Sequence, residues 1–161
     1  MTISTTSKPS VTPAIAKSTA TSSGLADQPV LKKRRPARTS FGKTGKRPDL
    51  PVSVRSKWEA NLYRLLIHLK EIGDIEDFAY EGQRYDFPVR SKNNFYIPDF
   101  RIKWADGRTT CFEVKGYMDK DSRAKLRYML RFYPSITVDV LGREAYLHLA
   151  DEWSHVIPNW E

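Results

Sequence analysis

Residues 95–116 read FYIPDFRIKWADGRTTCFEVKG, two apolar-rich runs on either side of Asp106-Gly107. Runs rich in aromatic and β-branched residues around an Asp-Gly turn predict a β-hairpin, here Phe95 to Trp104 against Thr109 to Lys115. Side chains alternate across a strand, so Glu113 and Lys115 share one face while Phe112 and Val114 take the other. Whether Asp99 joins Glu113 and Lys115 depends on the loop. A two-residue loop, Asp106-Gly107, sets Asp99 opposite Val114, on the wrong face. A three-residue loop, Ala105-Asp106-Gly107 with Gly107 left-handed, sets Asp99 opposite Glu113.

In the second register the Asp99 and Glu113 Cβ atoms are about 5 Å apart. Like charges so close repel, and the arrangement needs a cation. Hard carboxylate oxygens suit Mg²⁺, with Mn²⁺ able to substitute. Lys115 can then touch an attacking water or a scissile phosphate. This is a constellation for metal-assisted phosphodiester hydrolysis. A Glu-x-Lys alone is more often a solvated strand face, and it is Pro98-Asp99 one strand earlier that gives the pattern its weight. Cys111 has the parity of Glu113, but its default is a small buried residue.

Working outward, Ser56-Lys57-Trp58-Glu59 is a capping box that opens a helix with Trp58, Leu62, Leu65, Leu66 and Leu69 on one stripe and Gly73 as its stop. Ile75 to Tyr80 and Arg84 to Val89, separated by Glu81-Gly82, look like a first hairpin. Asp119 to Tyr133 predicts an amphipathic helix ended by Pro134, with Leu126, Met129, Leu130 and Tyr133 on its apolar face. Lys120, Arg123, Arg127 and Arg131 form a basic face suited to gripping phosphates, or simply a solvated one. Ile136 to Leu141 reads as a short buried strand, parallel to the preceding one through a right-handed crossover. A terminal helix follows Gly142. The order predicts an α/β fold, a mixed sheet flanked by helices, over residues 51–161.

Residues 1–50 differ in kind. They hold ten Lys or Arg against two Asp, whereas residues 51–161 balance 17 against 17, so the formal charge of +8 comes from the first 50. Rich in Ser, Thr, Pro, Ala and Lys, this stretch buries too little apolar area to order itself and is expected to be a disordered basic tail. Lys32, Lys33, Arg34 and Arg35, and a second cluster over 43–47, suit charge contacts with DNA phosphates; a solubilising tail, a transit peptide or a nuclear import signal are the other readings. A single cysteine excludes an internal disulfide and a multi-cysteine zinc site. No run approaches the length of a membrane helix, and there is no secretory pattern. A cytoplasmic setting is expected, nucleus or organelle remaining open. His68, His148 and His155 lack metal-ligand spacing, and Lys92 and Tyr117 are candidate DNA contacts beside the site.

Ile97-Pro98-Asp99-Phe100, followed by Glu113-Val114-Lys115-Gly116 with thirteen residues between Asp99 and Glu113, resembles the PD-(D/E)XK nuclease superfamily. From Arg55-Ser56-Lys57-Trp58-Glu59 through Tyr133-Pro134 the arrangement is similar to the phage endonuclease I type, which resolves branched DNA such as Holliday junctions, and to transposon end-cleaving relatives. The resemblance covers about Val54 to Leu141 and implies a restriction-endonuclease-like core. It implies Asp99, Glu113 and the Val114 carbonyl as metal ligands and Lys115 as the group that positions or activates water. Glu59 would supply a further carboxylate, although a capping-box Glu already has a structural task. The expected activity is that of a Mg²⁺-dependent endodeoxyribonuclease on branched DNA, acting as a homodimer because a junction needs two cuts. The rival expectations are a transposon-end or restriction-type nuclease that needs a partner protein, and a catalytically silent DNA-binding module.

Overall fold

The computed structural model describes residues 45–161. Lys32, Lys33, Arg34 and Arg35 lie outside the described residues. The described chain is a mixed α/β fold. A short ladder pairs β1 (Gly45–Lys46) with β2 (Ser53–Val54), and α1 (Lys57–Glu71) follows. Next come β3 (Ile75–Tyr80), β4 (Tyr85–Asp86), β5 (Phe95–Tyr96), β6 (Phe100–Trp104) and β7 (Thr109–Val114). The chain closes with α2 (Lys120–Phe132), β8 (Thr137–Leu141) and α3 (Arg143–Trp153). The main sheet runs β3-β6-β7-β8, antiparallel except for the parallel pair β7 and β8 that the crossover predicts.

Alternation along β6 and β7 divides the molecule into two cores. Phe100, Ile102 and Phe112 point to one face, where α1 contributes Leu62, Leu65, Leu66 and Leu69 and α3 contributes Tyr146 and Leu149. Cys111 points to the other, where α2 brings Met129 and the β4–β5 region brings Tyr85, Phe87 and Tyr96. Each leucine of the α1 stripe is almost fully buried, worth about 1.5–3 kcal/mol of transfer free energy apiece. The cap half of the expected capping box forms, with Ser56 Oγ accepting from the Glu59 N–H at 3.2 Å, but the Glu59 carboxylate takes the Ser56 hydroxyl and the Arg55 N–H in place of the Ser56 N–H; Gly73, at φ 82°, takes the left-handed position after the helix.

Four expectations need correction. The first hairpin does not form: Ile75–Tyr80 pairs with Phe100–Trp104, and Tyr85–Asp86 pairs with Phe95–Tyr96. Phe78 and Tyr80 pack in the α1 core whereas Tyr85 and Phe87 pack in the α2 core, and the two runs belong to separate sheets. The run Phe95 to Trp104 is two strands, interrupted at Pro98, which has no N–H for a ladder. Leu130, assigned to the apolar face of α2, is 75% exposed; it lies one residue, about 100° of helix, past the buried Met129. Residues 45–50, assigned by composition to the tail, pack on the fold: Leu50 is buried, Asp49 receives Arg64 at 2.7 Å, and Arg47 pairs with Glu161 at 2.7 Å. Arg47 is therefore committed to the fold instead of to a free basic cluster.

Candidate functional site

The register of β6 on β7 decides whether the acids meet. Phe100 opposes Phe112 and Lys103 opposes Thr109, the parity of a three-residue loop. Trp104 N–H donates to the Arg108 carbonyl and Gly107 N–H to the Trp104 carbonyl, both at 2.9 Å, while Gly107 takes φ 85°. Of the two loops open to the sequence, this is the one that puts Asp99 on the side of Glu113.

Asp99 sits just before β6, where Pro98 has released the chain from the ladder, and its Oδ2 accepts the Val114 N–H at 2.7 Å. Across from it, Glu113 Oε2 accepts the Tyr96 hydroxyl at 2.9 Å, and Glu113 Oε1 lies 3.3 Å from Lys115 Nζ. Asp99 and Glu113 are buried and face a small polar cleft of about 110 Å³, whose far wall is Ser122, Lys125 and Leu126 of α2, with Arg55 at one end. Burial first, and the charge of Glu113 second, push the Asp99 carboxyl up to about 7 against the lowering effect of the Val114 amide. The same burial and the same carboxylate raise the Tyr96 phenol far above its ordinary value, so Tyr96 remains a donor.

These residues fit a hard divalent cation. A cation between the two carboxylates would offset both the burial and the Glu113 charge that raise the Asp99 carboxyl. Among the described residues no group of three or more His, Cys, Asp or Glu is gathered about one point. The chain would offer two carboxylates and the Val114 carbonyl and leave the other positions to water and phosphate, as Mg²⁺ accepts.

Glu59 stands slightly apart. Its Oε1 accepts the Ser56 hydroxyl at 2.9 Å, and its Oε2 accepts the Arg55 N–H at 3.0 Å and the Tyr80 hydroxyl at 2.7 Å. Both oxygens serve the start of α1, while the charge still reaches Asp99 and raises its pKa. Lys120, Arg123, Arg127 and Arg131 lie on the outer side of α2, and none lines the cleft. Lys92 is held by Asp121 at 2.6 Å. Cys111 is buried against the Tyr85 hydroxyl, away from the cleft.

Two residues escape the sequence reading. Tyr96 is hidden when 95 to 104 is read as one unbroken strand. Lys125 is passed over because charge spacing selects the outward basic residues, yet it adjoins Leu126 on the inward side of α2, with Nζ 5.5 Å from the centre of the Phe95 ring. No helix among the described residues is long and apolar enough to cross a membrane. Compared with known proteins, the chain matches no family model, no curated protein and no solved structure, so the site has to be read from its own geometry.

Proposed function

We propose that this chain is a metal-dependent endodeoxyribonuclease with a restriction-endonuclease-like core, cleaving phosphodiester bonds in branched DNA such as four-way junctions. The observation that carries the reading is the burial of two repelling carboxylates, Asp99 and Glu113, in one cleft beside Lys115. A fold gains no stability from such a pair, which makes a functional site the better explanation. Mg²⁺, or Mn²⁺ in its place, would supply Lewis-acid activation of water and offset charge developing on the phosphate.

The chain's own groups have distinct tasks in this mechanism. The Val114 amide fixes Asp99 and the Tyr96 hydroxyl fixes Glu113, so both acids are set before substrate arrives. Lys115 holds the attacking water, or a phosphate oxygen, next to Glu113. Lys125 faces the same space from α2 and contacts the phosphate from the other side. Attack in line leaves a 5′-phosphate and a 3′-hydroxyl. Two cuts across a junction call for a homodimer, and the outward basic residues of α2 contact DNA flanking the cut.

Cleavage of a synthetic four-way junction and a matched linear duplex, in Mg²⁺ and in EDTA, tests the proposal. Paired nicking of the junction alone, lost in EDTA and in Glu113→Ala and Lys115→Ala, is the expected result. Lys125→Ala should lower the rate by about a hundredfold or more, the usual effect of removing one donor aimed at charge that develops in the transition state. Equal cutting of both DNAs would remove branch selectivity. Absence of cutting in Mg²⁺, and again with Mn²⁺ in its place, would overturn the nuclease reading for the isolated chain and leave a partner-dependent or silent protein.

A further inference from the structure

Next to the acid cleft lies a second, more apolar cavity of about 270 Å³. Lys57 and Trp58 at the start of α1 form one wall, and Gly116 and Tyr117 beyond β7 form the other. Glu59 and Val114 line it as well; Val114 packs on the α1 side of β7, opposite Glu113 and Lys115, while its amide holds Asp99, so the cavity meets the proposed cutting point across the end of β7. Trp58 is a preset wall: it is buried, and its ring stacks on Tyr146 with centroids 4.3 Å apart and planes 11° from parallel. Tyr117 is its opposite, an aromatic side chain with 76% of its surface exposed at the rim of the cavity.

We propose that this cavity receives the unstacked base of the nucleotide beside the cleaved phosphate, with Tyr117 stacking on it; the inference rests on the nuclease reading of the adjoining cleft. The volume is just below the roughly 300 Å³ at which small-ligand pockets begin, enough for one planar heterocycle and too little for a base pair. Its aromatic and apolar walls offer stacking, which accepts any base because every base has a π-face. Lys57, at the opening, is placed to meet the flanking phosphate. Taking a base out of a duplex costs a few kcal/mol, least where the base is already unpaired. The cavity therefore favours DNA whose nucleotide at the cut is unpaired, as at a bulge, or has lost a stacking neighbour, as at the crossover of a branch, over a regular duplex.

The test uses the full chain and a duplex with one bulged 2-aminopurine, whose fluorescence falls on stacking, beside the same duplex fully paired. Binding is followed in EDTA and cleavage in Mg²⁺. Wild type should bind the bulged duplex with quenching. Tyr117→Ala should weaken that binding by about tenfold or more, the usual worth of one base–aromatic stack, and change the paired duplex little. Tyr117→Phe, which keeps the ring, should restore both affinity and quenching. Asp99→Asn should abolish cleavage and leave quenching intact. If wild type cuts DNA and Tyr117→Ala binds the bulged duplex as tightly, or loses affinity equally on both DNAs, the base site is wrong and the nuclease stands. If quenching follows Tyr117 but no DNA is cut, the base site stands and the nuclease reading falls. Absence of quenching in wild type overturns the base site and leaves the cavity to some other occupant, such as a partner's side chain.

Discussion

At Asp99, burial and the neighbouring charge of Glu113 act in the same direction and hold the carboxyl at about 7. An unfolded Asp titrates at about 3.9. The folded state therefore binds this proton more tightly, and the associated stability is fully present below about pH 4 and lost as pH rises through about 7. Asp99→Asn removes the charge and keeps an oxygen for the Val114 amide. Without divalent cation at pH 8 it should melt above wild type by about 5 °C, a difference that shrinks toward pH 5. Mg²⁺ should then raise the wild-type midpoint and leave that of Asp99→Asn where it was. Equal Mg²⁺ shifts in the two proteins, read by thermal melting, would place the cation elsewhere.

Individual elements depend on local interactions that can be broken one at a time. Ser56 caps α1 and also holds Glu59, so Ser56→Ala should cost about 1 kcal/mol in urea unfolding, the usual effect of removing a helix cap. The turn after β3 is tighter. A Cβ on Gly82 would come within 2.6 Å of the Ala79 Cβ, a short side chain that cannot swing away. Gly82→Ala should destabilise by about 1–3 kcal/mol, as overpacking does. A cost near zero would mean that the backbone at 81–82 yields freely. This turn carries β3 out of the sheet, and the Glu81 N–H donates to the Asp99 carbonyl at 2.9 Å, so it also supports the candidate site from behind.

Across the whole molecule, a polar network ties both ends of the described chain to α1. Arg64, almost fully buried, donates to both oxygens of Asp49, to the Asn61 side chain and to Glu161. The hydrogen bond from Arg64 holds the Asp49 carboxyl below its ordinary range, and Arg47 does the same for Glu161. Groups lowered in this way stabilise the fold above their unfolded pKa and lose that contribution as pH falls through the folded one. Asp49→Asn should thus cost about 1–3 kcal/mol at pH 7 and progressively less as the pH falls below about 4, measured by urea unfolding. Residues 1–44 carry eight basic residues against one acid. Their removal should flatten the salt dependence of DNA binding, by about 0.9 in log–log slope for each phosphate they neutralise. An unchanged slope would assign the phosphate binding to the described part of the chain.

Local chemistry determined what could be read directly. The α1 stripe and its Ser56 cap, the break at Pro134, the Asp106-Gly107 turn and the parallel last strand depend on neighbours within a few residues or on strand handedness. Short-range alternation likewise put Glu113 and Lys115 on one face, and Pro98-Asp99 one strand earlier made Asp99 a candidate beside them. Tertiary structure alone decided which loop register operates, because Gly107 can serve a two- or a three-residue turn and only the packing of Phe100 and Phe112 in one core selects between them. It alone separated Tyr80 from Tyr85, since both runs are aromatic and nothing local says that they belong to opposite faces of the sheet. It also placed Tyr96 on Glu113 and Lys125 across from Asp99, juxtapositions of residues distant in sequence that no periodicity records.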